Sequence, residues 1–319
     1  MLIRRAFVSL LAASAALPAR AQAWPTKPLR IIVPFPAGQS TDILARVTAE
    51  QLGKALGQQV IVENRPGAAG SIGADVAAKA APDGYTLLMV TISTHGIAPA
   101  LYPKLPYDPL KDFAPIINVG LTPQVLMASL KSGITSVQDL VAKAKTGDLN
   151  YGSSGNGSAS HLAVEQLRNN AGIKLTHVPF KGNADAYLAL QSGDIQIMSD
   201  AIPGAVGPVR SGKVKAIGIA DTKRSPYLPD LPTIIEQGVP DVVAVGWIGL
   251  SAPANVPEPI LDRLNTEVQR ILKQPEVVEK LRDLSLLPAG ESRQAFAAYI
   301  ATEIAKWRGV IQAAGVKID

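Results

Sequence analysis

A loop of small and polar residues follows the first β-branched segment of the chain, which begins at Leu29. Residues 34–42 read Pro-Phe-Pro-Ala-Gly-Gln-Ser-Thr-Asp and open a helical pattern. Glycine permits a tight turn there, and Ser40, Thr41 or Asp42 can cap the helix. The unpaired N–H groups and the positive dipole end of a helix start favour an anion. The loop therefore predicts an anion site, and an ordinary helix cap is the alternative interpretation.

A second loop, residues 151–160, also separates a strand-like segment from a helical one. Its residues read Tyr-Gly-Ser-Ser-Gly-Asn-Gly-Ser-Ala-Ser. Backbone amides and hydroxyls in such a flexible segment can surround a carboxylate. A linker has a similar composition, but linkers seldom lie between a strand and a helix, so binding is the favoured interpretation.

Three more positions at predicted strand ends offer polar groups. Lys181 follows one strand and supplies a cation, and Asp200 ends the next strand. Residues 91–95, Thr-Ile-Ser-Thr-His, follow the third strand of the N-terminal part. In open α/β sheets, ligands collect beyond the carboxyl ends of strands. A solvated lysine and a capping aspartate are the alternatives for the two charged residues.

The residue pattern speaks against the common enzyme classes. The chain has no cysteine, which excludes thiolate catalysis and cysteine-ligated metals. Asn156 stands where a nucleophile elbow requires its last glycine. The histidines, His95, His161 and His177, lack metal-type spacing, and we expect surface or capping roles for them. The Gly67–Gly73 segment lacks dinucleotide spacing and is better explained as a tight turn against a helix. We expect no cofactor and no metal.

Strand-like and helix-like segments alternate along most of the chain. The N-terminal part follows a βαβαβ order, which indicates a mostly parallel sheet covered by helices. A second alternating set begins near Val125, with helices near 137–144, 160–169, 184–191 and 205–210 and strands near 149–152, 175–179, 195–199 and 214–219. A strand-like segment at 243–250 and two amphipathic helices follow. This order favours return of the chain to the first part and a cleft between two α/β lobes.

The first 23 residues have the pattern of a signal peptide. Arg4 and Arg5 precede a 12-residue apolar run, Ala6–Leu17, and residues 21–23 form a small-x-small cleavage site. A helix of 12 residues spans about 18 Å, which is shorter than the roughly 30 Å core of a bilayer. We therefore predict export to the periplasm without an anchor, by the general secretory route rather than the twin-arginine route.

The formal charge of +5 does not indicate a nucleic-acid partner. Arg4, Arg5 and Arg20 lie in the leader, where there is no acid, so 5 − 3 leaves +2 for the rest of the chain. A near-neutral body without runs of lysine or arginine offers no stripe that follows phosphates.

A series of short motifs runs through the chain in a characteristic order. They are Trp24-Pro25, Pro28–Arg30, Pro34–Gly38 with Asp42, Val62–Gly70, Pro82–Thr86, Leu105–Pro109, Tyr151–Gly155, Lys181-Gly182, Leu231–Thr233 and Trp247–Pro253. In these motifs the chain resembles the Bug-type extracytoplasmic solute receptors of tripartite tricarboxylate transporters. The likeness extends over the whole chain after the leader, which makes it more specific than any single motif.

The resemblance implies a two-lobed α/β periplasmic-binding-protein fold of type II, the Venus-flytrap class. Each lobe is then a mostly parallel sheet flanked by helices, and the ligand cleft lies between the lobes. We expect the signal peptide at 1–23, lobe 1 at 24–122 plus 243–319, and lobe 2 at 123–242. The resemblance also implies a small organic acid as ligand, membrane components of a tripartite transporter as partners, and no catalysis. We expect a monomer.

The resemblance carries over ligand contacts that are made largely through backbone amides and ordered water. Together with the loops above, the predicted ligand-binding residues are Pro36, Ala37, Gly38, Gln39, Ser40, Thr41, Asp42, Thr91, Ser93, His95, Ser153, Ser154, Gly155, Asn156, Ser158, Phe180, Lys181, Gly182 and Asp200. The chain departs from the family at Gln39, where a second glycine is usual, and at Asp185, where proline is usual. Ser199 replaces an aromatic residue. The identity of the acid stays open, and an uncharged or amide-bearing ligand is an alternative.

Two other functions stay open at this point. A periplasmic sensor component would bind the same class of ligand but signal to a partner. A periplasmic hydrolase would need a serine nucleophile, for which Ser154 is the residue to test.

Overall fold

The computed structural model describes residues 24–316, and the predicted signal peptide lies outside them. The strands are β1 (Leu29–Val33), β2 (Val60–Asn64), β3 (Thr86–Thr91), β4 (Phe113–Ala128), β5 (Asn150–Ser153), β6 (Thr176–Pro179), β7 (Ile197–Ala201), β8 (Lys215–Ala220), β9 (Val245–Pro253) and β10 (Leu287–Pro288). The helices are α1 (Ser40–Leu56), α2 (Ser71–Ala78), α3 (Ala98–Leu101), α4 (Val137–Ala144), α5 (Ala159–Ala171), α6 (Asn183–Ser192), α7 (Ile202–Arg210), α8 (Glu258–Ile271), α9 (Pro275–Asp283) and α10 (Arg293–Ala314).

Two groups of parallel strands form the ends of one mixed sheet. In the first group β1 lies between β2 and β3, and Ile31 pairs with Val62 on one side and with Leu87 on the other. In the second group β5 lies between β6 and β7, and Tyr151 pairs with His177 and Ile197. Since the strands within each group are parallel, their carboxyl ends meet at one edge, where the following loops gather.

The long strand β4 connects the two groups through antiparallel pairs. Its first part, residues 113–123, pairs with β9, and β10 also pairs there. Its last part, residues 124–128, pairs with β7 and β8. The strand β9 in turn pairs with β3, so the chain comes back beside the first parallel group. The strand order along the main path is β2-β1-β3-β9-β4-β7-β5-β6.

Alternate residues of the strands supply two different hydrophobic clusters, as the period of two in a strand requires. Leu88 and Val90 of β3 belong to a cluster that α2, α5 and α10 complete. Leu87 and Met89 belong to another, together with α1, α8 and α9. A third cluster joins β4 and β7 to α6 and α7. Each large side chain buried in this way contributes about 1.5–3 kcal/mol.

The helix α10 contacts both halves of the sheet assembly. It packs against β4, against the turn 92–97 after β3, and against α5 of the second group. Trp247 of β9, together with Phe296 and Trp307 of α10, is fully buried along this line. Across residues 24–316, no helix has the length and apolar composition needed to cross a membrane.

The sequence-based interpretation missed four elements, α3, β4, α9 and β10. Pro115, Gly120 and Pro123 lie inside β4, and each of these residue types ordinarily argues against a strand interior. The structure accommodates the first two at register shifts in the β4–β9 ladder, between Pro115 and Ile117 and between Asn118 and Gly120. β10 has two residues and carries no usable pattern.

Candidate functional site

The loop between β1 and α1 leaves a helix start without a side-chain cap. Gly38 has φ +83°, a left-handed conformation that favours glycine. The N-cap residue of α1 is the exposed Gln39, whose side chain makes no capping hydrogen bond. The expectation that Ser40, Thr41 or Asp42 caps this helix is therefore wrong. The first-turn N–H groups and the positive dipole end of α1 are left open to an anion.

The carboxylate of Asp42 holds this loop in shape by accepting hydrogen bonds. Its buried carboxylate accepts hydrogen bonds of 2.9–3.0 Å from the Gly38 N–H, from Arg46 and from the Asn64 amide. Asn64 also donates to the Phe35 carbonyl oxygen at 3.1 Å. Burial acts to raise the pKa of Asp42, but the bonds from Arg46, Gly38 and Asn64 outweigh burial and lower it. Because its oxygens are occupied, Asp42 holds the loop backbone in place.

The segment after β3 is held by hydrogen bonds between its own residues. Thr91 and Thr94 bond reciprocally through side chain and backbone at the start of a π-helical turn, Ile92–Ile97. Thr91 is buried, and Ser93 is partly exposed. His95 is fully buried between the rings of Tyr107 and Phe113, and burial lowers its pKa to about 3. His95 is thus a core residue in this structure, and the expectation of a surface or capping role is wrong for it.

A glycine turn brings the first loop and the segment after β3 together. Gly70 has φ +95°, and a Cβ added there would lie 2.6 Å from Thr94 Cγ2 and 3.3 Å from the Phe35 ring. A Cβ at Gly73 would lie 2.8 Å from Pro34 Cα. Glycine is therefore required for the close approach of α2 to β1, as expected for the Gly67–Gly73 segment.

The loop between β5 and α5 uses most of its backbone amides internally. The accepting atoms are Ser160 Oγ for the Ser154 N–H (3.1 Å), Ser153 Oγ for the Gly155 N–H (3.2 Å), His161 Nδ1 for the Gly157 N–H (3.0 Å) and the Gly155 carbonyl oxygen for the Ser158 N–H (3.2 Å). Asn156 is exposed, and Ser154 and Ser158 are partly exposed. This loop therefore presents side chains more than backbone amides: the exposed Asn156 amide and the partly exposed Ser154 and Ser158 hydroxyls, which also bond to Ser160 Oγ at 3.1 and 3.0 Å.

Two histidines lie directly beneath this loop. The rings of His161 and His177 stack with centroids 3.9 Å apart and an angle of 5° between their planes. His177 Nε2 is 2.7 Å from Ser153 Oγ. Burial lowers the pKa of His161 to about 3 and that of His177 to about 4, so both rings are neutral at ordinary pH. His161 is 4% exposed, so the expectation of a surface position is wrong for it as well.

The loops after β6 and β7 join the same cluster. The Phe180 N–H donates to the Ser153 carbonyl oxygen at 3.0 Å. Gly182 is the N-cap residue of α6 and, like the start of α1, this helix start has no side-chain cap. Lys181 is exposed and has no ion-pair partner among residues 24–316. The buried Asp200 accepts from the Asn183 amide at 2.5 Å, and burial raises its pKa to about 6.

The structure thus gathers the predicted residues into two groups. The first contains residues 36–42 and 91–95, and the second contains residues 153–158, 180–182 and 200. The second group contacts the part of the chain that follows the first: Gly157 lies against Leu101 of α3, and a Cβ at Gly157 would overlap the Leu101 side chain. A surface cavity of about 660 Å³ and another of about 420 Å³ lie elsewhere and are lined by none of the predicted residues.

Sequence reasoning missed the side chains that hold these loops. Arg46 lies four residues after Asp42 on α1, a spacing that signals an ion pair. His161 follows the N-cap Ser158 by three residues, but nothing in the sequence indicates that it accepts from Gly157. Asn64 and His177 reach their partners only through strand pairing, which leaves no local signal.

Comparison with known proteins places the whole arrangement in one family. Residues 44–316 match the family described as "Tripartite tricarboxylate transporter family receptor". The protein BugT of Bordetella pertussis is 36% identical over 309 residues, which are 96% of this chain and 95% of that protein. A protein encoded in the tcbD-tcbE intergenic region of Pseudomonas sp. strain P51 is 34% identical, covering 92% of this chain and 88% of the relative.

Two solved structures of related proteins contain dicarboxylates. An R. palustris protein solved with adipate has a TM-score of 0.79 and 35% identity, covering 92% of this chain and 99% of its own. MatC from Rhodopseudomonas palustris with bound malate has a TM-score of 0.75 and 37% identity, covering 90% of this chain and 100% of its own.

Proposed function

The chain belongs to the tripartite tricarboxylate transporter receptor family, and on that premise we propose that it captures a small organic acid and hands it to the membrane components of a transporter. The β1–α1 loop carries this proposal, because it presents a glycine turn and an uncapped helix start side by side. The dicarboxylates bound to two related proteins support the choice of a carboxylate ligand.

The first loop binds the acid through its backbone. An anion placed before α1 receives N–H groups and the positive dipole end of the helix, worth about 0.3–1 kcal/mol when exposed and up to ~2 kcal/mol when partly buried. Asp42 is negative, but its charge is paired with Arg46 and its oxygens point at Gly38 and Asn64. The loop therefore offers donors without offering a bare carboxylate.

The second group of loops contributes side-chain donors. The Ser154 and Ser158 hydroxyls, the Asn156 amide and the Lys181 ammonium lie at or near the surface of this group. The uncapped start of α6 adds further N–H groups. These groups are less uniform than a helix start, so they distinguish one acid from another by shape and by the position of its second polar group.

Capture involves two lobes that close on the ligand. We infer lobe 1 at residues 24–122 plus 243–319 and lobe 2 at residues 123–242, with the chain crossing near Pro123 in β4 and near Val243 before β9. β4 pairs with β9 up to Pro123 and with β7 and β8 after Pro123, and this change of partner supports the division. The ligand favours the closed arrangement through contacts that only the closed arrangement makes.

The protein acts as a receptor without catalysis. Ser153 and His177 form the hydrogen-bonded pair that a serine hydrolase would need, but Ser153 is fully buried. No carboxylate bonds to the other His177 nitrogen within residues 24–316. Export by the leader at 1–23, a periplasmic location and a monomeric state complete the proposal.

Thermal unfolding of the exported form in the presence of carboxylates tests the function. Malate, adipate, citrate, benzoate and a neutral diamide of adipate make a suitable panel. A ligand at 100 times its dissociation constant stabilises the folded protein by about 2.7 kcal/mol, which raises the melting temperature by several degrees. A panel in which no acid raises the melting temperature, or in which the neutral diamide acts as strongly as adipate, would remove the carboxylate from the proposal.

A further inference from the structure

The glycine-rich loop of residues 153–158 lies on two stacked histidines that come from different elements. His177 belongs to β6 and reaches Ser153 Oγ at one end of the loop with its Nε2 atom, 2.7 Å away. His161 belongs to the first turn of α5 and accepts the Gly157 N–H at the other end with its Nδ1 atom, 3.0 Å away. The rings lie parallel with a centroid distance of 3.9 Å, so the stack bridges the two ends of the loop.

The loop needs such an external support. Gly155 has φ +121° and Gly157 has φ +71°, conformations in which glycine keeps the most freedom. Few side chains of the loop itself are buried enough to hold its shape, since Asn156 is exposed and Ser154 is partly exposed. Hydrogen bonds to fixed groups below the loop supply the restraint that glycine does not.

The geometry requires the His161 ring to be neutral, and burial lowers the pKa of His177 to about 4, which keeps that ring neutral as well. His161 Nδ1 accepts a backbone N–H and therefore carries no hydrogen, since a protonated ring offers donors at both nitrogens. Two charged groups of α5 lie near the stack: Glu165 accepts a hydrogen bond from the hydroxyl of Tyr151, whose ring stacks on both histidines, and pairs with Arg168 at 2.6 Å. Burial lowers the pKa of His161 to about 3, with His177 and Arg168 acting in the same direction.

We propose that His161 and His177 are positioning residues for ligand capture: as a neutral stacked pair they hold the 153–158 loop in the shape that points its hydroxyl and amide donors at the ligand. Neither ring touches the ligand in this arrangement. The role rests on the proposed function, since it assigns a purpose to a loop that binds a carboxylate. It adds two residues that no motif in the loop identifies.

Phenylalanine variants separate the hydrogen bonds from the packing. His161→Phe and His177→Phe each keep a flat ring in the stack but remove the bond to Gly157 or to Ser153. His161→Asn restores an acceptor, because its side-chain oxygen lies near the position of Nδ1. Leu167→Ala is the matched control, because Leu167 is fully buried on the same helix and bonds to no loop atom.

The first readout needs no ligand. We expect amide hydrogen exchange in the peptide covering residues 153–161 to be about tenfold faster in each phenylalanine variant, as loss of one hydrogen bond allows. Exchange should return toward the wild-type rate in His161→Asn and stay at the wild-type rate in Leu167→Ala. Unchanged exchange in both phenylalanine variants would overturn the positioning role, whatever the protein binds.

The second readout is affinity for the acid that most stabilises the wild type, measured by calorimetry with malate and adipate as probes. We expect both phenylalanine variants to bind about tenfold more weakly and His161→Asn to recover most of the loss. A looser loop with unchanged affinity would overturn the link to capture. Failure of the wild type to bind any acid would contradict the proposed function instead, and the exchange experiment would still decide whether the histidines hold the loop.

Discussion

The loops 34–42 and 153–158, which we propose bind the acid together, use backbone and side chains in opposite ways. In the first loop a side chain, Asp42, accepts the Gly38 N–H and leaves the start of α1 uncapped. In the second loop, serine and histidine side chains accept the N–H groups of Ser154, Gly155 and Gly157, and the donors at or near the surface are hydroxyls and an amide. One loop offers its backbone, and the other offers its side chains.

From this difference we infer that the first loop supplies affinity for carboxylates in general and that the second loop supplies selectivity among acids. Backbone N–H groups at a helix start bind any carboxylate, because they respond to charge and not to the rest of the molecule. Side-chain donors can be exchanged without disturbing the main chain, so the second loop can be tuned for one acid. Gln39 is an exception in the first loop, because it adds an exposed side-chain amide to a loop that otherwise offers its backbone.

The largest effect is expected from a change in the backbone of the first loop. Gly38→Val puts a β-branched residue at φ +83°, a conformation that it adopts only with strain, so the turn must change and the N–H groups move. We expect binding of malate and adipate to weaken by at least about 100-fold, or roughly 2.7 kcal/mol. Calorimetry measures the change.

Gly57→Val is the matched control for this experiment. Gly57 follows α1 at its other end with φ +67°, and a Cβ there also meets no atom within 4 Å. The strain is therefore similar, but the position is remote from the first loop. Equal losses of affinity in the two variants would mean that the Gly38 effect is a general loss of stability.

A smaller effect is expected from the side chains of the second loop. Ser154→Ala and Asn156→Ala each remove one neutral donor, worth about 0.5–1.5 kcal/mol, which is roughly a two- to twelvefold change in affinity. We expect the loss of affinity to differ between malate and adipate, because the contacts that these donors make depend on the shape of the acid. Ser211→Ala, an exposed serine after α7, serves as the control. Equal losses for all acids would shift the selective role away from this loop.

The smallest effect is a pH dependence that arises from Asp200. Burial raises the pKa of Asp200 to about 6, so this carboxyl is mostly charged at pH 7 and mostly neutral at pH 5. Because a charged Asp200 repels an anion, we expect affinity for adipate to rise about twofold between pH 7 and pH 6, a pH range in which both ligand carboxylates stay mostly charged. In Asp200→Asn the rise should disappear. A rise that persists in this variant would assign the titration to another group.

The sequence predicted regular, locally determined elements well. α4 was expected near 137–144 and spans those residues, since its cap and apolar stripe are local. β4 was missed because Pro115 and Gly120 are tolerated only at register shifts with β9, a strand about 130 residues away. Fold class was recognisable from the order of motifs along the chain.

The chemistry inside the loops was less predictable than their location. Both loops were correctly placed between a strand and a helix. Asp42 and Ser153 each accept a loop N–H group, and each is itself bonded to a residue that strand pairing brings close, Asn64 or His177. Asp42 reads as a helix cap in the sequence because capping is its commonest role, but the turn at Gly38 gives it a nearer donor.

A crystal structure of the protein with adipate or malate tests the central claim most directly, namely that the two loops bind one acid together. We expect a ligand carboxylate within about 3 Å of N–H groups in residues 38–42, and a donor of Ser154, Asn156 or Ser158 within the same distance of the same molecule. An acid bound away from residues 38–42, or held by one loop while the other stays in solvent, would contradict the account.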